Sequence, residues 1–294
     1  MSDTALGEFT IAPRPEAAGL TDRLDGVDQD GAPVSATVVV ERPLTLFLNG
    51  QEIVTMMTIG DHPDWLAVGY LINQNMLNDE DEITAIEHDE ELDVVVVRTA
   101  RDTDYEEKLR RKTLTSGCAQ GTVFGDVMEQ FEAVELPAEA ELRTSWLYEL
   151  TRKINTRPSL YLSAGAIHGC VLCEADRPLV YVEDVGRHNA IDKIAGWMFL
   201  NRVSPAGKLF YTTGRLTSEM VIKCVQMRLP ILISRSGFTA WGVELARQAG
   251  LTLIGRARGR RFVCLSGAGR LNFDADPDSV PAEERRHHRK AGRD

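Results

Sequence analysis

Cys118 has the surroundings that most favour nucleophilic chemistry in this chain. It lies in the small-residue stretch TSGCAQGT, and the cations Lys108, Arg110, Arg111 and Lys112 precede it. Nearby cations favour the thiolate, which is the form of cysteine that attacks sulfur and carbon. The stretch connects the two halves of the chain, where a thiolate could visit a donor and an acceptor. The alternative is an ordinary packed residue, because free cysteine is among the most buried residue types.

Cys170 and Cys173 form a C-x-x-C pair, which is typical of redox centres or of half a zinc site. The segment GAIHGCVLCEADRPLVYVED predicts strand, turn and strand, and residues three apart on a strand point to opposite faces. Cys224 and Cys264 stand alone in apolar patterns, so a structural zinc site lacks its second ligand pair. We predict that the pair packs in the core and that the chain holds no metal. Zinc-dependent deamination is disfavoured as well, since His168 is followed by Gly-Cys rather than by the x-Glu of those enzymes.

Arginine recurs with glycine and hydroxyl or amide residues at three predicted strand-to-helix turns. The residues concerned are Arg187 and His188 in VEDVGRHNAID, Gly214 and Arg215 in TTGRLTSE, and Ser234 and Arg235 in SRSGFT. Ligands of α/β sheets bind beyond the carboxyl ends of strands, and helix starts favour anions. A helix cap does not require arginine, so the three turns together predict a pocket for phosphates. Capping and ion pairing are an equal alternative explanation of the first turn. If the turn instead binds a ligand, Asp192 lies four residues after His188 and could orient its imidazole.

The segment GRARGRR has the strongest local charge contrast in the chain. It places four arginines within seven residues, whereas the whole chain has a net charge of −11. Arginine forks and glycine amides suit a pyrophosphate or a guanine nucleotide, and a solvated basic turn is the alternative. The residues of this predicted site are Arg256, Ala257, Arg258, Gly259, Arg260 and Arg261.

Composition limits the class of protein. The acidic balance argues against a general nucleic-acid binder, because sequence-independent binding depends on basic residues that neutralise phosphates. No apolar run approaches the length of a membrane-spanning helix, and the start MSDTALGEFT lacks the pattern of a secretory signal. Five cysteines are too few for a disulfide scaffold. We therefore expect a cytoplasmic protein with no membrane or nucleic-acid partner.

The elements that must position these residues fall into two predicted units. Residues 1–33 and 274–294 are polar and rich in Pro, Gly or charge, which predicts a disordered arm and a disordered tail, with His287 and His288 solvated. Residues 34–136 predict a small β-rich domain that has a hairpin at Asn49-Gly50, a helix over 64–76 capped by Asp64, and the Cys118 loop at its end.

Residues 137–273 predict an α/β domain in which strands alternate with helices. The predicted strands are SLYLSA, PLVYVED, KLFYTT, PILISR and LTLIG, and the predicted helices cover 137–152, 188–200, 217–228 and 239–249.

These strings resemble the formate dehydrogenase accessory protein, or FdhD, family of sulfur carriers. The resemblance spans 34–273 through SGCAQG, GAIH, VEDVGRHNAIDKIAG, TTGRLTSEMVIK, PILISRSGFTAWGVELA and GRARGRRFVCLSGAGR. It implies a sulfurtransferase that accepts persulfide sulfur from a cysteine desulfurase. The sulfur then passes to the molybdenum cofactor bis(molybdopterin guanine dinucleotide), before insertion into the catalytic subunit of formate dehydrogenase. It also implies a homodimer and a three-layer α/β domain similar to cytidine deaminase after the small β-rich domain.

Carried onto this chain, the resemblance implies that Cys118 bears the persulfide. It also implies that residues 256–261 bind the guanine-nucleotide part of the cofactor, with the Gly186 and Gly214 turns completing the pterin site. The family motif Cys-Gly-x-Cys reads Cys118-Ala119-Gln120-Gly121 here, so the second thiol is missing. One sulfur nucleophile suffices for a persulfide. Whether Cys170 or Cys173 replaces the lost thiol is left open by the sequence. The alternative functions are a chaperone that holds the cofactor without sulfur transfer and a nucleotide hydrolase.

Overall fold

The computed structural model describes residues 9–78, 80–101, 113–114, 121–122 and 124–280, with side chains up to residue 101 and again from residue 128. The strands are β1 (Thr21–Val27), β2 (Pro33–Val39), β3 (Arg42–Leu48), β4 (Gln51–Thr58), β5 (Ile83–Asp89), β6 (Val94–Thr99), β7 (Thr113–Leu114), β8 (Gly121–Thr122), β9 (Leu142–Arg143), β10 (His168–Glu174), β11 (Arg177–Asp184), β12 (Lys208–Thr212), β13 (Ile231–Ser234), β14 (Thr252–Arg258), β15 (Arg261–Ser266) and β16 (Leu271–Asn272). The helices are α1 (Pro63–Asn73), α2 (Phe124–Ala133), α3 (Thr144–Thr156), α4 (Leu160–Ser163), α5 (Arg187–Leu200), α6 (Ser218–Gln226) and α7 (Ala240–Gln248).

The first unit is a four-stranded sheet in the order β4-β3-β6-β5, with α1 packed on it. The predicted hairpin is confirmed: β3 and β4 pair antiparallel around Asn49, whose φ of 53° is the left-handed conformation that Asn-Gly turns adopt. The helix predicted over 64–76 is shorter, and the prediction of its cap was wrong. His62 takes the N-cap position and Pro63 the first turn, where a missing N–H costs nothing.

The second unit is a six-stranded sheet in the order β11-β10-β12-β13-β14-β15. Strands β12, β13 and β14 are parallel, and the other neighbours pair antiparallel. Helices α5, α6 and α7 cover one face and α3 covers the other. The predicted mixed α/β layering is therefore confirmed. The packing prediction for Cys170 and Cys173 is confirmed too, since they lie in the cores on opposite faces of the sheet.

Two predicted elements of this unit differ in the structure. The string SLYLSA forms helix α4 rather than a strand, because Ser159 caps it and the Glu183 carboxylate accepts the backbone N–H groups of Leu160 and Tyr161, each at 2.8 Å. The helix predicted over 137–152 begins only at Thr144. The preceding residues are extended instead, and Leu142 pairs with Leu271.

The arm and the tail also differ from the expected disorder where the structure describes them. Strands β1 and β2 form a hairpin, and Ile11 pairs with Val180 at the edge of the six-stranded sheet. In the tail, the Asp274 carboxylate accepts the backbone N–H of Ser145 at 2.9 Å, which caps the start of α3. The contacts of Ile11 and Asp274 with the second unit order parts of the arm and the tail that local composition alone would leave disordered. Residues 1–8 and 281–294, including His287 and His288, lie outside the described residues.

The two units meet where α1 crosses α5, and glycine permits the close approach. A Cβ at Gly69 would lie 1.7 Å from the carbonyl oxygen of Asp192, and one at Gly196 would lie 2.0 Å from that of Trp65. Any side chain at either position would force the helices apart. The crossing therefore fixes the first unit against the helix that begins at Arg187.

Candidate functional site

Three strand-to-helix turns converge at one edge of the six-stranded sheet. Because β12, β13 and β14 run parallel, their carboxyl ends lie at the same edge, and the loops before α6 and α7 begin there. The loop from β11 into α5 joins them, since a Cβ at Gly214 would lie 3.2 Å from the Cβ of Arg187. The structure thus brings together the turns that the sequence predicted to form one pocket.

Arg187 Nε and His168 Nδ1 are buried at this edge. Neither Arg187 Nε nor His168 Nδ1 has a hydrogen-bond partner among the described residues. Burial lowers the pKa of His168, and the positive charges of Arg187 and Arg215 lower it further. An anion placed here would accept from Arg187 and relieve the cost of leaving its buried N–H unpaired. His168, which sequence reasoning did not assign to the site, is part of it.

His188 faces an acid that sequence reasoning missed. Its Nε2 lies 2.9 Å from Oε2 of Glu219, at the start of α6. A hydrogen bond from His188 lowers the pKa of Glu219 to about 2, against the opposing effect of burial. The prediction that Asp192 orients this imidazole was wrong. Asp192 instead accepts from Lys223 and Asn73, because a buried carboxylate needs those donors more than a helical neighbour four residues away.

A buried carboxylate fixes the turn that carries Arg187. Asp184 accepts the backbone N–H of Gly186 at 3.1 Å and the side-chain amide of Asn189 at 3.0 Å. It also accepts from Lys193 Nζ at 2.6 Å, and Lys193 is fully buried. Burial opposes the charge of Lys193, but Asp184 and Asp61 outweigh it and raise its pKa. Lys193 therefore stays charged, and its bond to Asp184 helps to hold the turn.

The second and third turns are tied together by Ser234. Its hydroxyl donates to the carbonyl oxygen of Gly214 at 2.6 Å and accepts the backbone N–H of Ser236 at 2.9 Å. Ser234 is fully buried, so it positions the two turns. Arg235 extends from the third turn, donates to Asn155 Oδ1 at 3.0 Å and lies 5.5 Å from the ring centroid of Tyr161.

The arginine-rich segment lies beside the third turn. The backbone N–H of Arg256 donates to the carbonyl oxygen of Ser236 at 2.7 Å, and Arg258 Nε donates to that of Arg235 at 3.4 Å. Arg256 has a φ of 56°, and β14 is irregular against β15 between Gly255 and Arg258. Ala257 is buried against α3, whereas the arginines on both sides of it are exposed.

The other end of the arginine-rich segment, from Gly259 to Arg261, forms the turn into β15. Arg260 donates to Asp278 Oδ1 at 2.7 Å, and Arg261 is exposed at the start of β15. Gly259, with a φ of 52°, makes the turn between the two strands. Within the arginine-rich segment, Arg256 is therefore joined to the third turn through its backbone and Arg258 through its guanidinium.

Nothing in this edge suggests a metal site or a membrane span. Within the described ranges, no three His, Cys, Asp or Glu side chains lie close enough to hold a metal ion. No described helix combines the length and the apolar character needed to cross a bilayer. The chemistry that the edge offers is the binding of an anion by arginine, by a neutral imidazole and by helix starts.

Comparison with known proteins decides the family. The FdhD/NarQ family profile matches residues 39–272. The chain belongs to the FdhD/NarQ family. It is 34% identical over 247 residues to the sulfur carrier protein FdhD of Nocardia farcinica, which covers 80% of this chain and 88% of that protein. It is 31% identical over 242 residues to the FdhD protein of Wolinella succinogenes, covering 81% and 83%.

A solved structure of the same family shares the fold. It is that of a protein from Desulfotalea psychrophila assigned as a formate dehydrogenase accessory protein. The match has a TM-score of 0.69 at 26% identity and covers 86% of this chain and 98% of that one. The FdhD/NarQ match includes all three turns and the arginine-rich segment.

The cysteines of this FdhD/NarQ chain divide by burial. Cys170, Cys173 and Cys224 are fully buried, and burial raises the pKa of Cys170 to about 12 and that of the other two further. Burial also raises the pKa of the half-buried Cys264. Thiolate character is thus disfavoured at every described cysteine. The fifth, Cys118, lies outside the described residues.

The described segments around Cys118 are two short strands and a helix. Strands β7 and β8, which flank residues 115–120, pair antiparallel. Helix α2 follows and packs against α6. The last turns of both helices line one cavity of about 1370 Å³, through Gln130 and Gln226 among others.

Proposed function

We propose that this protein is a sulfur carrier that accepts sulfur on Cys118 and delivers it to the molybdenum cofactor. The observation that carries the proposal is the state of the other thiols. Of five cysteines, the four that the structure describes are packed, and burial disfavours their thiolates. Cys118 is the remaining candidate, and the relatives are named sulfur carrier proteins.

The loading step is a thiolate–persulfide exchange that needs no oxidant. The Cys118 thiolate attacks the outer sulfur of a persulfide on a cysteine desulfurase, and a new S–S bond forms as the donor's S–S bond breaks. The donor cysteine leaves as a thiolate, and Cys118 becomes the persulfide. The lysines and arginines at 108–112 favour the attacking thiolate by their charge.

The edge of the six-stranded sheet that carries Arg187, Arg215 and Arg235, here named the arginine edge, is the proposed binding site of the cargo, the bis(molybdopterin guanine dinucleotide) form of the cofactor. Its phosphates can accept from the buried Nε of Arg187 and from Arg256 and Arg258, which are exposed beside the third turn, and the buried Nδ1 of His168 offers a further polar contact. Arg235 and Tyr161 offer a flat surface on which a guanine ring can stack. The formate dehydrogenase catalytic subunit then receives the sulfurated cofactor.

Two finer features of the family resemblance belong to the same proposal. One is the likeness of the second unit to cytidine deaminase, which is supported by a mixed sheet covered by helices on both faces. The other is a homodimer acting in the cytoplasm. Superposition on a cytidine deaminase structure and a solution mass measurement test these two points.

Mass spectrometry of the intact protein tests the sulfur chemistry. The chain is incubated with a cysteine desulfurase and cysteine, and wild type is compared with Cys118→Ala and with Cys264→Ser as the matched thiol control. We expect a gain of about one sulfur mass in wild type and in Cys264→Ser, and none in Cys118→Ala. A gain that persists in Cys118→Ala would overturn the assignment of the carrier residue.

The second candidate is a cofactor chaperone without sulfur transfer. It is favoured by the composition of the arginine edge, which the described residues build without a reactive thiol. No sulfur gain in wild type, with the desulfurase shown to load another acceptor, would select it. Formate dehydrogenase activity in cells would then survive Cys118→Ala and fail in an Arg187→Gln variant.

A further inference from the structure

His168 lies between the first two of the converging turns. It begins β10 and pairs across the sheet with Asp184, which ends β11 just before the first turn. On the other side of β10, Gly169 donates to the Thr213 hydroxyl and accepts the Thr213 backbone N–H, each at 2.9 Å. Thr213 leads directly into the second turn. The sheet therefore holds this imidazole at the arginine edge.

The groups around His168 oppose its protonation. Burial lowers the pKa of His168, because a desolvated imidazolium is costly. Arg187 of the first turn and Arg215 of the second lower it further, and His188 at the start of α5 acts in the same direction. An unperturbed histidine titrates at about 6.5, so this ring is mostly neutral near pH 7.

Two carboxylates at this edge face other donors. Asp184 acts to raise the pKa of His168, but it also accepts from Lys193 Nζ at 2.6 Å. Glu219, at the start of α6, lies 2.9 Å from Nε2 of His188. An imidazolium at His168 therefore gains little from either acid, whereas an added anion would stabilise it.

The Nδ1 atom of His168 is buried, and among the described residues it has no hydrogen-bond partner. A neutral imidazole carries one N–H and an imidazolium carries two, so protonation turns both ring nitrogens into donors. Arg187 Nε is a second buried donor at the same edge. A phosphate group bound here can accept from both nitrogens, and a buried group that gains a partner recovers part of its desolvation cost.

We propose that the arginine edge takes up one proton, on His168, when it binds the pyrophosphate of its cargo. The inference rests on the proposed function, because the cargo supplies the anion. The pyrophosphate offsets the positive charges of Arg187 and Arg215 and adds a negative charge beside the ring. The proton comes from the solvent, one N–H bond forms on the imidazole, and Nδ1–H then donates to a phosphate oxygen. His168 is thus a binding residue that becomes cationic together with the cargo.

Proton uptake makes the affinity for the cargo depend on pH. A ligand that raises the pKa of a group binds the protonated form more tightly by the same factor. Binding is therefore tightest below the pKa of His168 in the free protein, and it weakens as the pH rises towards the pKa in the complex. An opposite charge within about 4 to 6 Å changes a pKa by about 1 to 3, so the affinity should fall by about tenfold or more over that range. Release of the cargo returns the proton to the solvent.

Calorimetry with a pyrophosphate that does not itself titrate tests the proposal on the full chain. The probe is 5′,5′-diguanosine diphosphate, a pyrophosphate diester whose charge is constant near neutral pH. Titrations in two buffers of different ionisation enthalpy count the protons taken up, and titrations between pH 6 and pH 8 give the affinities. For wild type we expect a maximum uptake of about one half to one proton per chain and an affinity about tenfold higher at pH 6 than at pH 8.

His168→Asn separates the charge of the imidazole from its hydrogen bond. Asparagine places a neutral N–H₂ donor near the position of Nδ1. The variant should therefore bind the probe at pH 8 within about fivefold of wild type, but with no gain in affinity at pH 6 and no proton uptake. His88→Asn, at an exposed histidine on β5 of the other sheet, is the matched control and should keep the wild-type pH dependence.

A measurement on wild type alone covers the case in which His168→Asn does not fold. NMR of the six imidazoles, assigned through the backbone, should show the pKa of His168 rising when the probe binds. Binding without proton uptake, equal uptake in wild type and His168→Asn, or an unchanged pKa of His168 would overturn the inference and leave the cargo site standing. No binding of the probe by wild type at any of these pH values would instead overturn the proposed cargo site, and this inference with it.

Discussion

Arg187 shows how a single side chain prepares the edge for an anion. Its Nε is buried without a partner, and glycine at position 214 lets it approach the second turn. This Nε is desolvated before a ligand arrives, so a charge-assisted hydrogen bond from it to phosphate recovers more free energy than one made in water.

We therefore expect Arg187→Gln to weaken the binding of GDP, used as the probe of the guanine-nucleotide site, by about tenfold to a hundredfold. The estimate corresponds to about 1.5 to 3 kcal/mol for a hydrogen bond that involves a charged group. Isothermal titration calorimetry measures it, and Arg98→Gln, on the other sheet, serves as the exposed control. Equal affinities in wild type and Arg187→Gln would place the phosphates elsewhere.

Glu183 gives stability a dependence on pH that runs against the usual direction for a carboxylate. Burial raises its pKa from 4.5 to about 7, although the N–H groups of Tyr161 and Leu160 act to lower it. The folded state therefore holds this proton more tightly than the unfolded chain. Between about pH 4.5 and pH 7 the free energy of unfolding falls as the pH rises, and above pH 7 the ionised group costs about 3 kcal/mol.

Glu183→Gln removes this cost because glutamine cannot ionise. Urea unfolding measures the free energy of unfolding of both proteins at pH 5 and at pH 8. The difference between variant and wild type should favour the variant more at pH 8 than at pH 5, by about 1 to 3 kcal/mol. The variant loses one acceptor for an α4 amide, and this loss lowers its stability equally at both pH values. The difference in stability between pH 8 and pH 5 therefore reports only the charge of Glu183. Glu87→Gln, an exposed carboxyl on β5, should show no such difference. The same relative stability of Glu183→Gln at pH 5 and pH 8 would contradict the assignment.

At the scale of elements, the crossing of α1 and α5 depends on two glycines. Each lies against the backbone of the other helix, so the contact is made by main chains rather than by side chains. The helix that carries Arg187 and His188 is thereby fixed by an element of the other unit.

Gly69→Ala should destabilise the protein by about 3 kcal/mol or more, because its Cβ would overlap the carbonyl oxygen of Asp192 and overpacking forces backbone shifts. Alanine is otherwise the better helix former, so the loss cannot come from helix propensity. Gly269→Ala, where a Cβ would meet nothing within 4 Å, is the matched control and should stay within about 0.5 kcal/mol of wild type. Chemical denaturation of both variants measures the difference.

At the scale of the whole molecule, buried polar bonds join the two units. The Thr58 hydroxyl donates to Asp184, Asn73 donates to Asp192 at 2.7 Å, and Lys193 pairs with Asp61. Separating the units would break these bonds and leave Thr58 and Asn73 without their acceptors, at about 1 to 3 kcal/mol for each group that stays buried and unpaired.

We expect the two sheets to unfold together. Native-state hydrogen exchange should give the slowest amides of β3 and β6 the same free energy of opening as those of β12 and β13. Lys193→Met should lower both values equally, since it leaves the buried Asp184 and the partly exposed Asp61 without their cation. A first sheet that opens at clearly lower free energy than the second would show two independent domains.

The sequence by itself determined the elements that depend on local pattern. Apolar periodicity predicted α5, α6, α7 and the strands between them, and alternation on β10 predicted opposite faces for Cys170 and Cys173. The arginine turns could be predicted to meet at one edge, because the direction of parallel strands brings their carboxyl ends together. Long specific strings were enough to identify the family.

Only the tertiary structure decided which side chains became partners. Glu219 reaches His188 from 31 positions along the chain, and Asp192 takes Lys223 and Asn73 instead. The same holds for Glu183, whose carboxylate caps α4 and turns an apolar string that predicts a strand into a helix. The physical reason is common to these cases. Burial obliges every polar group to find a partner, and the nearest donor in space is set by how distant elements pack rather than by spacing along the chain.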